Sequence, residues 1–287
     1  MRTVLLLLLA LSFLPAQAAE KTTEQHHPHR QHRIIALSPH LTEMVATAGG
    51  LDQLVGVVSY SDYPQAAQKL PLVGSYNAIN FEAILQLQPD IILAWQGGNR
   101  NQDIIRLKQL SQQLGFKLFL SHPQKLQDIP QEIKAIGKLI GTEKTAQVHA
   151  QTLLQILNTQ QQRYAKVPWV TAFYEIWHHP LMTINGQHFI SQAMAVCHAK
   201  NSFADLKPIA GEVSIEAVIQ RNPDIILLGG DQQKQQRWLT DWQRRYPIIK
   251  AVKQHHLIPL NADLYQRPTA RLIQALPQLC QKIDLTR

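Results

Sequence analysis

Apolar residues along this chain fall into short runs of four or five, separated by stretches in which they recur at helical intervals. Residues 33–37, 54–58, 91–94 and 117–120 read as buried strands. Between them, residues 41–48, 81–87 and 102–114 carry helical spacing, stopped at Gly49-Gly50, Pro89 and Gly115. The alternation resumes after Pro168, with strands at 170–174, 225–228 and 256–260 and helices at 189–197, 214–221, 239–246 and 270–283. Strands alternating with helices predict parallel α/β construction. From residue 127 to about 165 there is no strand signal. Gly141 divides this stretch, and Thr142 is placed to cap a helix over about 142–165, roughly 35 Å long at 1.5 Å per residue. Such a helix suits a rigid strut between two lobes; an ordinary crossover helix is the alternative.

A duplication favours the strut. Glu82-Ala83-Ile84-Leu85-Gln86-Leu87-Gln88-Pro89-Asp90-Ile91-Ile92-Leu93 is echoed by Glu216-Ala217-Val218-Ile219-Gln220-Arg221-Asn222-Pro223-Asp224-Ile225-Ile226-Leu227. Gly-Gly follows each copy, at Gly97-Gly98 and Gly229-Gly230. The copies lie too far apart for a solenoid, whose repeats run roughly 20–50 residues. They predict two small α/β lobes on one plan, at 33–126 and 167–287, with a helical connector at 127–166 and a ligand cleft between the lobes.

The amino terminus reads as an export signal over residues 1–19: Arg2, an apolar run from 4 to 14, then Ala16-Gln17-Ala18. The run falls short of the roughly 20 residues a spanning helix needs, and no cysteine near the cleavage point offers a lipid anchor. The expectation is a soluble protein outside the cytoplasm, released by signal cleavage. Residues 20–32 form a polar leader rich in histidine, read as flexible, whose imidazoles could also hold a metal. The net charge of +8 comes from scattered Lys and Arg with no basic run, so nucleic acid is not an expected partner. The two cysteines, Cys197 and Cys280, suit a disulfide in an oxidising compartment, worth roughly 4–5 kcal/mol by loop entropy; two buried free thiols are the alternative.

The chain shows no catalytic signature: G-x-S-x-G, G-x-x-x-x-G-K-[ST] and H-E-x-x-H are all absent. His122, His188 and His198 lack ligand spacing, and the pairs His178-His179 and His255-His256 would diverge on a strand. No metal site, cofactor or enzyme activity is expected; a secreted metalloenzyme is the remote alternative. Aromatics cluster instead just past strand ends, where open α/β sheets bind ligands: Tyr60 and Tyr63, Tyr76, Trp95, Trp177 and Tyr265. Glu82 and Glu216 stand in the first turn of equivalent helices, where the helix dipole favours them. As a pair they would put one carboxylate on each lobe tip, facing a two-fold basic partner.

Ser59-Tyr60-Ser61-Asp62-Tyr63-Pro64, Asn80-Phe81-Glu82 with Pro89-Asp90, and Ala94-Trp95-Gln96-Gly97-Gly98-Asn99 resemble the periplasmic cobalamin-binding proteins of bacterial ABC importers, within the helical-backbone solute-binding family. The resemblance spans about residues 33–285. It implies two Rossmann-like lobes joined by a rigid helix, with cobalamin (vitamin B12) or a related corrinoid between them. It also implies corrinoid contacts from Tyr60, Tyr76, Trp95, Asp263, Leu264, Tyr265, Gln266 and Arg267. Glu82 and Glu216 match the pair that docks onto arginines of the permease dimer, and Cys197 and Cys280 match a second-lobe disulfide. The protein would act as a monomer, with the corrinoid as cargo. Two departures stand out: Tyr76 occupies a position often held by Trp, and a cleft Trp is missing around Ile209-Ala210-Gly211. Haem or a ferric siderophore is the alternative cargo on the same fold, with Tyr265 or His178 as a possible axial ligand.

Overall fold

The computed structural model describes residues 31–230 and 232–287. The expected export signal, residues 1–19, and residues 20–30 of the leader lie outside the described residues. Two four-stranded parallel sheets carry the fold. The first is built from β1 (Ile34–Ala36), β2 (Leu54–Val57), β3 (Ile91–Trp95) and β4 (Lys117–Ser121), in the order β2-β1-β3-β4. The second uses β5 (Val170–Glu175), β6 (Ala199–Asn201), β7 (Ile225–Gly230) and β8 (Leu257–Asn261), in the order β8-β7-β5-β6.

The inner strands are apolar on both faces because helices cover both. Their period-two alternation then sorts residues between cores. Ile34, Ala36, Ile91 and Leu93 point into a central core, whereas Ile35, Leu37, Ile92 and Ala94 fill the outer face of the first lobe. In the second lobe Ala172, Tyr174, Ile225 and Leu227 join that same central core, while Phe173, Ile226 and Leu228 pack outward with Trp238 and Trp242.

The central core runs through the connector. Helix Asp128–Ile140 ends at Gly141, left-handed at φ 78°, and helix Glu143–Tyr164 follows. Ile129, Ile133, Ile136, Leu153 and Leu157 pack with residues of both sheets in one continuous cluster. Thr142 departs from expectation, for its side chain makes no capping hydrogen bond. Glu143 places a carboxylate in the first turn instead. Cys197 and Cys280, both fully buried, form a disulfide within the second lobe, with Cα atoms 4.7 Å apart.

Other elements differ from the sequence expectation. The helix expected at 239–246 spans Gln232–Arg245, and the C-terminal helix is broken into Ala270–Gln274 and Leu276–Asp284. Edge strand β6 and two small antiparallel pairs, Gly74–Ser75 with Ala78–Ile79 and Met182–Ile184 with Ala210–Glu212, carry no strand signal of their own. No helix among the described residues is long and apolar enough to cross a membrane.

Candidate ligand cleft

The carboxyl end of β3 builds the first wall. Trp95 closes the strand, and the chain turns back at Gly97 (φ 104°) and Gly98. A Cβ on Gly98 would sit 1.7 Å from the Trp95 ring, so the indole can lie over this turn only because residue 98 is glycine. Asn99, 5% exposed, organises the corner. Its Oδ1 accepts from the Trp95 amide at 2.6 Å, and its Nδ2 donates to the Leu37 and Tyr76 carbonyls at 2.9 and 2.6 Å. One buried side chain thus fixes the end of β1, the base of Trp95 and the turn bearing Tyr76. His40 meets Trp95 edge-on, with centroids 4.9 Å apart. Burial, with a smaller push from Arg267, lowers the His40 pKa to about 3, so it packs as a neutral ring.

The Tyr-Ser-Asp-Tyr loop divides its work. Tyr60 stands 76% exposed, in the left-handed region at φ 66°. Ser61 is buried and accepts from Thr42 Oγ1 at 3.1 Å. Asp62 and Tyr63 reach the second lobe: Asp62 accepts from Arg267 at 2.6 and 3.2 Å, and the Arg271 guanidinium lies 4.0 Å over the Tyr63 ring. Glu43, 2% exposed on the first helix of the first lobe, accepts from Arg267 at 3.1 Å and from Arg271 Nε at 2.8 Å. The hydrogen bond from Arg267 holds the Asp62 carboxyl below its ordinary range.

The segment Asp263 to Arg267 therefore has mixed placement. Asp263 is exposed, while Leu264 and Gln266 are half-buried. Gln266 donates to the Tyr174 hydroxyl at 3.3 Å, and Arg267 is held by carboxylates of the first lobe. Tyr265 is 1% exposed, packs in the central core and points its hydroxyl at the Ala275 carbonyl 3.4 Å away; burial pushes its pKa up to about 12.

A cavity of about 640 Å³ opens between the lobes. Trp95, Gln96, Gly97 and His122 line it from the first lobe, and Gln187, Phe189 and Ile209 from the second. Of the residues expected from sequence to contact the ligand only Trp95 lines it; Tyr60 and Tyr76, 76% and 43% exposed, stand outside that lining. Phe189, Gln187 and Gln192 carried no sequence signal beyond the start of a helix. Gln192 also closes the back of the cavity: its Oε1 accepts from the Leu126 amide at 3.1 Å and its Nε2 donates to the Gln124 carbonyl at 2.7 Å.

Glu82 and Glu216 are exposed in the first turns of helices Phe81–Gln86 and Ile215–Arg221. The two starts are built alike. Asn80 accepts from the Ala83 amide at 3.1 Å, and Ser214 accepts from the Ala217 amide at 3.2 Å. Three residues beyond each glutamate an apolar side chain lies open, Leu85 at 39% and Ile219 at 37%. The Glu216 backbone amide and the Ser214 hydroxyl hold the Glu216 carboxyl below its ordinary range.

His178 and His179 correct an expectation. The strand ends at Glu175, so the pair sits in a turn rather than on opposite strand faces, with ring centroids 4.3 Å apart. Burial opposes the His178 cation, but the flanking carboxylates of Glu175 and Asp241 outweigh it and raise the pKa.

Residues 34–264 match the family model described as periplasmic binding protein. The chain is 34% identical over 282 residues, 98% of its length and 92% of theirs, to proteins named vitamin B12-binding protein from Yersinia pseudotuberculosis and Yersinia pestis. The crystal structure of the periplasmic vitamin B12 binding protein BtuF of Vibrio cholerae superposes with a TM-score of 0.81 at 33% identity, covering 89% of this chain and 97% of that one. The periplasmic heme-binding protein RhuT from Roseiflexus shares the fold alone, at a TM-score of 0.76 and 19% identity over 90% of this chain and all of that one. The two sheets, the helical connector and the cleft between the lobes are the architecture of these relatives, and the chain belongs to the periplasmic binding protein family.

Proposed function

We propose that this protein captures cobalamin or a related corrinoid in the periplasm and hands it to an ABC importer, acting as a monomer and making or breaking no covalent bond. The observation that carries this reading is identity along nearly the whole chain with proteins named for vitamin B12 binding. The cleft supports it. A space of about 640 Å³ walled by Trp95 and Phe189, with the exposed Tyr76 on the turn that Asn99 ties to Trp95, suits a large ligand that is flat and partly apolar. Its polar lining, Gln96, His122 and Gln187, offers hydrogen bonds to amide groups at such a ligand's edge. The ligand-facing set is Trp95, Tyr60, Tyr76 and Asp263 with its neighbours Leu264 and Gln266. Tyr265 supports that segment from beneath, and Arg267 fixes it to the first lobe.

The same geometry weighs against haem. The two axial ligands considered from sequence are unsuited: Tyr265 is buried with a raised pKa, and His178 does not line the cavity between the lobes. Glu82 and Glu216, each beside an exposed apolar residue, form the pair offered to a two-fold permease. Residues 1–19 act as the cleaved export signal. Calorimetric titration with cyanocobalamin and, separately, with haemin tests the cargo. Saturable one-to-one cyanocobalamin binding is expected; tight haemin binding with none for cyanocobalamin overturns the proposal.

A further inference from the structure

The Glu175, His178, His179 and Asp241 cluster is not used by the cleft. Glu175 ends β5 with no exposed side-chain surface. One of its carboxylate oxygens is hydrogen-bonded to His178 Nδ1, and the other accepts from Trp242 Nε1 at 2.7 Å. The His178 ring stacks on Trp238 at 14° with centroids 5.6 Å apart. Its Nε2 lies 3.0 Å from Asp241 Oδ2, and His179 contributes a third donor, so that one ligand atom from each of the three residues lies within 4.8 Å of the others.

We propose that His178, His179 and Asp241 form a site for a divalent transition metal of the zinc or copper class, with Glu175 as the group that orients His178. Two imidazoles and one carboxylate are donors for such ions rather than for calcium or magnesium, and they leave a fourth position for water. Tetrahedral bonds of about 2.0–2.2 Å separate neighbouring donors by roughly 3.3 Å. The His178 and Asp241 atoms already stand at nearly that spacing. His179 is exposed and its ring already lies against that of His178, with centroids 4.3 Å apart, so only a small turn is needed to bring its donor to the metal position.

Glu175 adds what a chance surface cluster lacks. A buried carboxylate on Nδ1 keeps the proton there and points the Nε2 lone pair at the metal position, the usual outer-sphere arrangement of a histidine ligand. The neighbouring cations compete: Arg245 lies 3.3 Å and Arg244 3.8 Å from Asp241. Both are well exposed, at 77% for Arg244 and 50% for Arg245, so a metal can displace them into solvent.

The test uses the full chain with His26, His27, His29 and His32 changed to Ala, which removes the leader imidazoles. Zinc is titrated by calorimetry and copper(II) by quenching of tryptophan fluorescence, since Trp238 stacks on a ligand ring. One equivalent of each is expected, with marked quenching by copper. His179→Ala and Asp241→Asn should each weaken zinc at least tenfold, and Glu175→Gln about 10–100-fold. Arg245→Gln should tighten it several-fold by freeing Asp241. Because His179 is exposed, its variant tests the site without disturbing the core. Absence of a saturable equivalent in the leader-substituted chain overturns the proposal, as does unchanged affinity in both His179→Ala and Asp241→Asn.

Discussion

Arg267 donates to Asp62 at 2.6 Å across the line where the two lobes meet, joining residues 205 positions apart. The same guanidinium reaches Glu43, which Arg271 also holds. Two arginines of the second lobe thus grip two carboxylates of the first, on top of a core that already passes through both lobes. This makes the cleft largely pre-formed. The members of the grip should not count equally. Asp62 is 44% exposed, so Asp62→Asn should cost under about 1 kcal/mol. Glu43 is buried, and Glu43→Gln takes the carboxylate from Arg271 while Arg267 keeps Asp62, at a cost of about 3 kcal/mol. Urea unfolding of the two variants gives the ranking, and the reverse order would show that the grip is closed from the surface. Because Arg267 lowers the Asp62 pKa from its ordinary 3.8, the Asp62 contribution is complete above that value and fades as pH falls below it.

Asn99 makes a second test of pre-organisation. Asn99→Ala strands the Trp95 amide and deprives the Leu37 and Tyr76 carbonyls of their donor. Leaving such groups unmet costs about 1–3 kcal/mol in stability. It also frees both aromatic corners at once, so cyanocobalamin affinity should fall at least tenfold. Thermal unfolding and calorimetry on one preparation check both effects. Normal affinity in a destabilised variant would mean that Trp95 and Tyr76 need no common anchor.

The lobes were legible because their inner strands are buried on both faces. Ile91 to Leu93 and Ile225 to Leu227 must be apolar at every position, and such runs are visible in a sequence. The small pairs were not legible. Gly74–Ser75 and Ala210–Glu212 are two or three polar or small residues that become strands only because a partner from elsewhere lies alongside. The site divides in the same way. Trp95 could be found from its place after a strand. Phe189 and Gln192 could not, because they acquire their role when the second lobe closes against the first. Tyr265 sits in a four-residue helix, too short for periodicity to show which side faces the core. The approach of His178 to His179 depends on where β5 stops, the kind of boundary that sequence patterns place least well.

Two histidines, His40 buried and His188 half-buried, predict an acid-labile fold. Burial lowers His40 to about 3 and His188, the N-cap of helix Phe189–Val196, to about 4, from an ordinary 6.5. Between those values the unfolded chain binds protons that the folded chain refuses. Stability is therefore complete above about pH 6.5 and is lost as pH falls through the window down to 4 and then 3. Each histidine can add up to about 1.4 kcal/mol per pH unit to the slope. His188 Nδ1 accepts from the Ile190 amide at 3.2 Å, a role Asn can take over without titrating. Urea midpoints at several pH values between 4 and 7 should show a shallower slope for His188→Asn. Parallel slopes would mean that His188 is exposed enough to protonate in the folded state.

Glu82 and Glu216 give the prediction that separates capture from delivery. Each is exposed on a helix start whose capping hydrogen bond comes from another residue, Asn80 or Ser214, so neutralising it should leave stability essentially unchanged. Neither carboxylate lines the cavity between the lobes. The double variant Glu82→Gln with Glu216→Gln should therefore bind cyanocobalamin within about twofold of the parent, while uptake through the cognate importer falls at least tenfold; charge complementarity at a docking surface acts chiefly on encounter and register. Each single variant should keep part of the uptake, because a two-fold partner retains one of its two contacts. Leu85→Ser with Ile219→Ser should give the same split, since these side chains flank the glutamates on the same exposed helix faces. Calorimetry on the purified protein and radiolabelled uptake in cells read the two halves separately. Loss of cyanocobalamin binding in the glutamine pair would place the glutamates in the cleft and end the docking assignment, whereas normal uptake would show that the permease reads some other surface of the lobes.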